Sequence, residues 1–89
     1  MSDKLFKISI STPEKTIFEG EISSLVAPGE TGYLGVLVDH APLIANLSPG
    51  KITIKDGQSQ STIFNCKSTG ILEVLNNNVN ILVDSAERA

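Results

Sequence analysis

Apolar and polar residues alternate at period two along most of this chain, broken at short intervals by turn-forming residues. In Leu5-Phe6-Lys7-Ile8-Ser9-Ile10, the residues Phe6, Ile8 and Ile10 share one face, while Lys7 and Ser9 share the other. The reason is that successive side chains of an extended strand point in opposite directions. Lys51-Ile52-Thr53-Ile54-Lys55 repeats the pattern with Ile52 and Ile54 together. Asn80-Ile81-Leu82-Val83 is more continuously apolar, as in a strand covered on both sides. Glu19-Gly20 is expected to separate Thr16-Ile17-Phe18 from the run Ile22 to Ala27, and Ser48-Pro49-Gly50 to punctuate the middle. Asp56-Gly57 predicts a two-residue hairpin turn of type I′, which needs positive φ at both central residues. Asn76-Asn77-Asn78 offers similar chemistry, because Asn tolerates the left-handed region. Strands recurring between such turns predict an all-β sandwich or barrel over nearly the whole length. At the end, Asp84-Ser85-Ala86-Glu87 has the spacing of a capping box, and Arg88 stands four residues after Asp84. That pattern predicts at most a helical turn at the C-terminus.

With 89 residues there is room for one core, so residues 1–89 are expected to form a single domain. Hydrophobic residues at 40% and charged residues at 19% suit an ordered globular chain rather than a disordered one. The net charge of −3, with seven basic residues of which none are adjacent, argues against a nucleic-acid partner. One cysteine excludes an internal disulfide, and Cys66 in a strand-like stretch reads as a small buried or half-buried thiol. No apolar run approaches the roughly 18–20 residues needed to span a bilayer, so no direct membrane insertion is expected. Met1-Ser2-Asp3-Lys4 opens without a signal-peptide pattern, which predicts a cytoplasmic protein that reaches a membrane only by docking on something else.

The inventory for catalysis is thin. A nucleophile–base pair needs Ser or Cys beside an oriented His. His40 is the one histidine, no Gly-x-Ser-x-Gly elbow is present, and Asp39 beside it would point the other way in a strand. One His and one Cys cannot complete a four-ligand zinc site. Gly29-Glu30-Thr31-Gly32-Tyr33-Leu34-Gly35 is glycine-rich but lacks the Gly-Lys-Ser/Thr ending of a phosphate loop. The expectation is a non-catalytic protein with no metal and no cofactor.

The stretch from Pro28 to Gly50 is more informative. It reads Gly32-Tyr33-Leu34-Gly35-Val36-Leu37, two residues, His40-Ala41-Pro42-Leu43, and then Leu47-Ser48-Pro49-Gly50. Three flanking segments keep the same order: Thr12-Pro13-Glu14 with Phe18-Glu19-Gly20, Gly70-Ile71-Leu72-Glu73-Val74, and Asn78 to Glu87. Together they resemble the epsilon subunits of F-type ATP synthases over essentially residues 5–89. Two local departures stand out. Val38-Asp39 replaces the family's usual Pro and small or polar residue before the His, and Thr69-Gly70 replaces a paired glycine.

The resemblance implies a flattened β-sandwich of about ten short strands in a rotor's central stalk, joining the foot of the gamma subunit to the c-ring and coupling proton flow to ATP synthesis. It implies a peripheral location on the cytoplasmic face of the bacterial inner membrane. His40, Ala41, Pro42, Leu43 and Ala45 would contribute the gamma-facing surface, and the loop Gly29, Glu30, Thr31, Gly32, Tyr33 would face the c-ring. Family members continue into two C-terminal helices that can inhibit ATP hydrolysis. Residues 1–89 contain no counterpart of them, so neither that inhibition nor a bound nucleotide is expected. The alternative left by the residues alone is an unrelated small β-sandwich binding module. Against a biotinyl or lipoyl carrier, Lys55 precedes the Asp56-Gly57 turn rather than occupying its tip. Against a sugar- or peptide-binding sandwich, there are only three Phe and one Tyr.

Overall fold

The period-two segments become strands whose apolar faces meet. A computed structural model describes residues 4–58 and 60–89; Met1, Ser2 and Asp3, where the N-terminal reading begins, and Ser59 lie outside the described residues. The strands are β1 (Phe6–Ser11), β2 (Thr16–Ile22), β3 (Ser24–Gly29), β4 (Gly32–Leu37) and β5 (Leu43–Leu47). They continue with β6 (Gly50–Lys55), β7 (Ser61–Cys66), β8 (Gly70–Leu75), β9 (Asn78–Val83) and β10 (Ala86–Arg88). The described residues contain no helix.

Hydrogen bonding links the strands in the order β10-β7-β6-β3-β5-β8-β9-β1-β2, with β4 added on β3. β1 lies parallel to β9, and the other described pairs are antiparallel. The link between β3 and β5 is a single bridge, Gly29 to Leu47. The sheet therefore curls at that corner, and the half β10-β7-β6-β3-β4 faces the half β5-β8-β9-β1-β2 in a flattened sandwich. Phe18 of β2 meets Phe64 of β7 edge to face across the interior, with ring centroids 5.6 Å apart. Phe6, Ile8, Ile10, Ile52 and Ile54 are all buried, as their alternation required. Among the described residues no polar or charged one is buried, so the core they form carries no desolvated charge to compensate. Cys66 is buried within it, its Sγ donating to Ser68 O at 3.1 Å.

Four local expectations change. First, β2 runs straight through Gly20, which pairs with Ile8, so Glu19-Gly20 is not a turn. A full-length partner strand outweighs the local glycine signal, and the break falls at Ser23, whose N–H donates to Lys55 O at 2.8 Å. Second, Asp56-Gly57 is not a type I′ turn, since neither residue has positive φ. It opens a longer loop, in which Asp56 Oδ1 accepts Gln58 N–H at 2.7 Å and Gln60 N–H at 3.1 Å. The Asp side chain thus replaces the tight backbone turn. The type I′ geometry occurs instead at Asn76 and Asn77, with φ of 51° and 61°, between β8 and β9. Third, Leu82 is 52% exposed, so β9 is covered on one face rather than two.

Fourth, Asp84–Arg88 does not begin a helix. Ser68 Oγ accepts the N–H groups of Asp84 and Ser85 at 3.0 and 3.1 Å, and the next three residues form β10 against β7. The apolar side of Ala86 packs on the core, and Lys67 pairs with Glu87 at 3.1 Å across the ladder. A strand with a waiting partner outcompetes a helical turn too short to nucleate.

Candidate docking surfaces

Two stretches of surface stand at opposite ends of β4, roughly 17 Å apart at ordinary strand rise. At one end, the chain turns from Leu37 to His40, with His40 N–H donating to Leu37 O at 3.2 Å. Asp39 sits third in that turn with φ of 63°, the sign a type II turn requires there. Asn77, in the β8–β9 turn, reaches across to it. Asp39 N–H donates to Asn77 Oδ1 at 2.6 Å, and Asn77 Nδ2 donates to Asp39 Oδ1 at 2.9 Å. His40 is half-buried, and its Nδ1 lies 2.7 Å from Ala41 O, a contact in which the nitrogen is the donor.

Ala41 and Pro42 are exposed, while Leu43 and Ala45 are half-buried and turn toward the interior. Leu43 packs against the core opposite Val74, and Ala45 lies opposite Leu72. Ile44 between them points outward and is 72% exposed. Its ladder partner is Glu73, and Pro42, Ile44, Glu73 and Leu75 line one shallow groove. Ile71 and Leu82, cross-strand partners, extend the apolar outer face of this half. Sequence reasoning named Leu43 and Ala45 for the gamma-facing surface and did not single out the exposed Ile44, Ile71, Leu75 and Leu82. The signal was present: β8 reads Ile71-Leu72-Glu73-Val74-Leu75, apolar at both parities.

At the other end of β4, Glu30 and Thr31 connect β3 to β4 above the closing pair Gly29–Gly32. A Cβ on Gly29 would lie 2.6 Å from Gly32 O and 2.8 Å from Leu34 Cδ2. Gly32 has φ of +139°, a conformation that side chains rarely adopt. Glu30 and Thr31 are exposed, and Glu30 N–H donates to Asn46 O at 3.0 Å. Tyr33 is exposed along its ring while its hydroxyl accepts Lys51 N–H at 3.2 Å. Glu30 was the one charge expected in this loop. The fold adds Asp84 to the same hollow, whose lining also includes Pro13, Asn46, Ile71 and Leu82.

Among the described residues there is no group of three His, Cys, Asp or Glu able to hold a metal. No helix among them is long and apolar enough to cross a membrane. The ten strands, curled into a flattened sandwich with an exposed apolar outer face, define the class: an all-β sandwich domain. Residues 5–89 match the family model for the ATP synthase Delta/Epsilon chain beta-sandwich domain, and the chain belongs to that family. It is 44% identical to the ATP synthase epsilon chain of Pelotomaculum thermopropionicum over 100% of its own length. It is 37% identical to the ATP synthase epsilon chain of Leptospira interrogans over 94%. In both cases the chain spans 65% of the relative's length. Among solved structures it superposes on a chain of the Euglena gracilis mitochondrial ATP synthase, an OSCP/F1/c-ring structure, with a TM-score of 0.88. That match has 17% identity and covers 94% of this chain and 53% of the other. A chain of the Tetrahymena thermophila mitochondrial ATP synthase central stalk and c-ring gives a TM-score of 0.76 at 20% identity, covering 97% and 68%. These two likenesses concern the fold. The family match removes the unrelated binding module from consideration.

Proposed function

We propose that this chain is the non-catalytic β-sandwich part of an ATP synthase epsilon subunit, a rotor component joining gamma to the c-ring. Family membership over residues 5–89 supports the reading, as do relatives named ATP synthase epsilon chain. The observation that carries it is the outer face of β5, β8 and β9, where Ile44, Ile71, Leu75 and Leu82 stand exposed on one side of an antiparallel sheet. Such a face on a small domain fits a protein partner better than water.

Gamma would cover this face together with His40, Ala41 and Pro42, while Leu43 and Ala45 support it from beneath. The loop Gly29, Glu30, Thr31, Gly32 and Tyr33 would meet the c-ring, with Glu30 and Asp84 offering negative charge to basic groups there. Its location would be peripheral, on the cytoplasmic face of a bacterial inner membrane, through these partners. The chain would act as a single domain without cofactor or nucleotide.

The test is gel filtration of the purified chain with an epsilon-depleted catalytic sector containing gamma from the same organism. Co-elution at one copy per gamma is expected. A folded chain that elutes alone beside a competent sector would remove the assignment.

A further inference from the structure

The turn leading into His40 is held by an arrangement that its local sequence does not announce. Asp39 has φ of 63°, a left-handed conformation that Asp adopts at little cost, and the turn draws further support from outside itself. That support comes from 38 residues downstream, through two hydrogen bonds of opposite sense with Asn77. Only a side chain with both an acceptor and a donor can serve the Asp39 N–H and the Asp39 carboxylate together, and the Asn amide is such a group. Asn77 is itself fixed, lying in the β8–β9 turn with φ of 61° and accepting Lys7 N–H on its own carbonyl at 2.9 Å. The bonds thus run from β1 through Asn77 to Asp39 and end one residue before His40. Among the described strands β4 pairs with β3 alone, so this clasp ties the end of an outer strand to the opposite half of the sandwich.

We propose that Asp39 and Asn77 are positioning residues that fix the His40–Pro42 loop for gamma before gamma arrives, an inference that rests on the docking role above. A loop ordered in advance loses less freedom on binding, so the clasp acts on affinity without touching the partner.

The test compares the wild-type chain with Asn77→Asp, Asp39→Asn and the double exchange Asp39→Asn/Asn77→Asp. The readouts are gamma affinity and hydrogen exchange of the amide at position 39. Asp tolerates the left-handed region, so Asn77→Asp leaves the hairpin intact but sets two carboxylates against each other. It is expected to weaken gamma binding about tenfold, the effect of one charge-assisted hydrogen bond, and to speed exchange at position 39. Asp39→Asn keeps an acceptor for Asn77 Nδ2 but removes the charge that strengthens the bond, and is expected to weaken binding by less than Asn77→Asp. The double exchange restores a donor opposite a carboxylate with the sense reversed, and is expected to recover both readouts. Recovery is what a merely local turn preference would not produce. Unchanged affinity and exchange in Asn77→Asp, or failure of the double exchange to recover them, overturns the clasp while wild-type binding stands. A wild-type chain that does not bind gamma overturns the docking role instead, whatever the exchange data show.

Discussion

Ile44→Asp is the sharpest probe of the proposed docking face, because Ile44 is exposed between the half-buried Leu43 and Ala45. Fully burying an Ile side chain stabilises by roughly 1.5–3 kcal/mol. With 72% of Ile44 exposed in the free chain, a partner that covers it gains about 1–2 kcal/mol from this residue. Losing that contribution weakens binding about 5- to 30-fold, and burying a carboxylate at the interface adds to the loss. The free chain should tolerate the change. The new charge would stand opposite Glu73 on the ladder, a cost of about 0.2–1 kcal/mol, or at most several degrees in Tm. Isothermal titration with gamma and a thermal melt of the free variant measure the two quantities separately. Val26→Asp serves as the control, since Val26 is exposed on the opposite half, and its affinity for gamma should stay within twofold of wild type. A wild-type Kd for Ile44→Asp, or equal losses in both variants, would refute docking through the β5–β8–β9 face.

Leu72→Ala should cost about 2–5 kcal/mol in urea unfolding, because Leu72 is fully buried between the halves, and a smaller loss would mean the core relaxes around the gap. Gly70→Ala should cost about 1–3 kcal/mol, since a Cβ there lies 2.5 Å from Val83 Cγ1 and 2.6 Å from Leu82 O. Gly35→Ala, whose Cβ meets only Leu25 O at 3.9 Å, should change stability by less than about 0.5 kcal/mol in the same assay. Glu30→Lys should leave the melt unchanged, as the residue is exposed, but lower ATP synthesis driven by proton flow in reconstituted vesicles. Unchanged coupling would take Glu30 off the c-ring surface.

The strands were legible where one face was clearly polar. Phe6-Lys7-Ile8-Ser9-Ile10 and Ile52-Thr53-Ile54 declare their buried sides, and the core uses those residues. Where both parities are apolar, the sequence cannot say what covers the second face. The continuous run at Ile81-Leu82-Val83 suggested two covered sides, yet within this chain only one is covered. The exposed apolar face was hard to read for that reason: Ile71, Leu75 and Leu82 carry the same chemical signal as core residues and differ only in which half-sheet lies behind them. Turns failed differently. Asp56-Gly57 has the preferred composition for a type I′ hairpin, but its Asp side chain bonds to Gln58 and Gln60 and opens a longer loop. Asn76-Asn77 took the tight turn. The Asp39–Asn77 contact was out of reach, since nothing local marks two polar residues 38 apart as partners.

In the proposed role, torque has to pass between the β3–β4 half that carries the Gly29–Tyr33 loop and the β5–β8–β9 face that carries Ile44, and the two do not share a continuous strong ladder. β3 and β4 are joined by six registered pairs, β5 and β8 by five, and β8 and β9 by six, whereas β3 and β5 share one. Ser48 N–H to Pro28 O at 2.8 Å and Glu30 N–H to Asn46 O at 3.0 Å flank that bridge. Gly29 permits the tight β3–β4 closure beside it, because any side chain there would strike Gly32 O. Hydrogen bonds alone would leave a hinge at this corner. What resists bending is the interior, where Phe18 and Phe64 interlock from opposite halves and Leu47 is buried at the corner itself. Close-packed interiors are hardly compressible, so closing the halves meets steep resistance, and opening them exposes apolar surface. The stiffness a coupling element needs therefore comes from the side chains between the sheets more than from the ladder joining them. The Asp39–Asn77 clasp adds a second tie between the halves at the far end of β4.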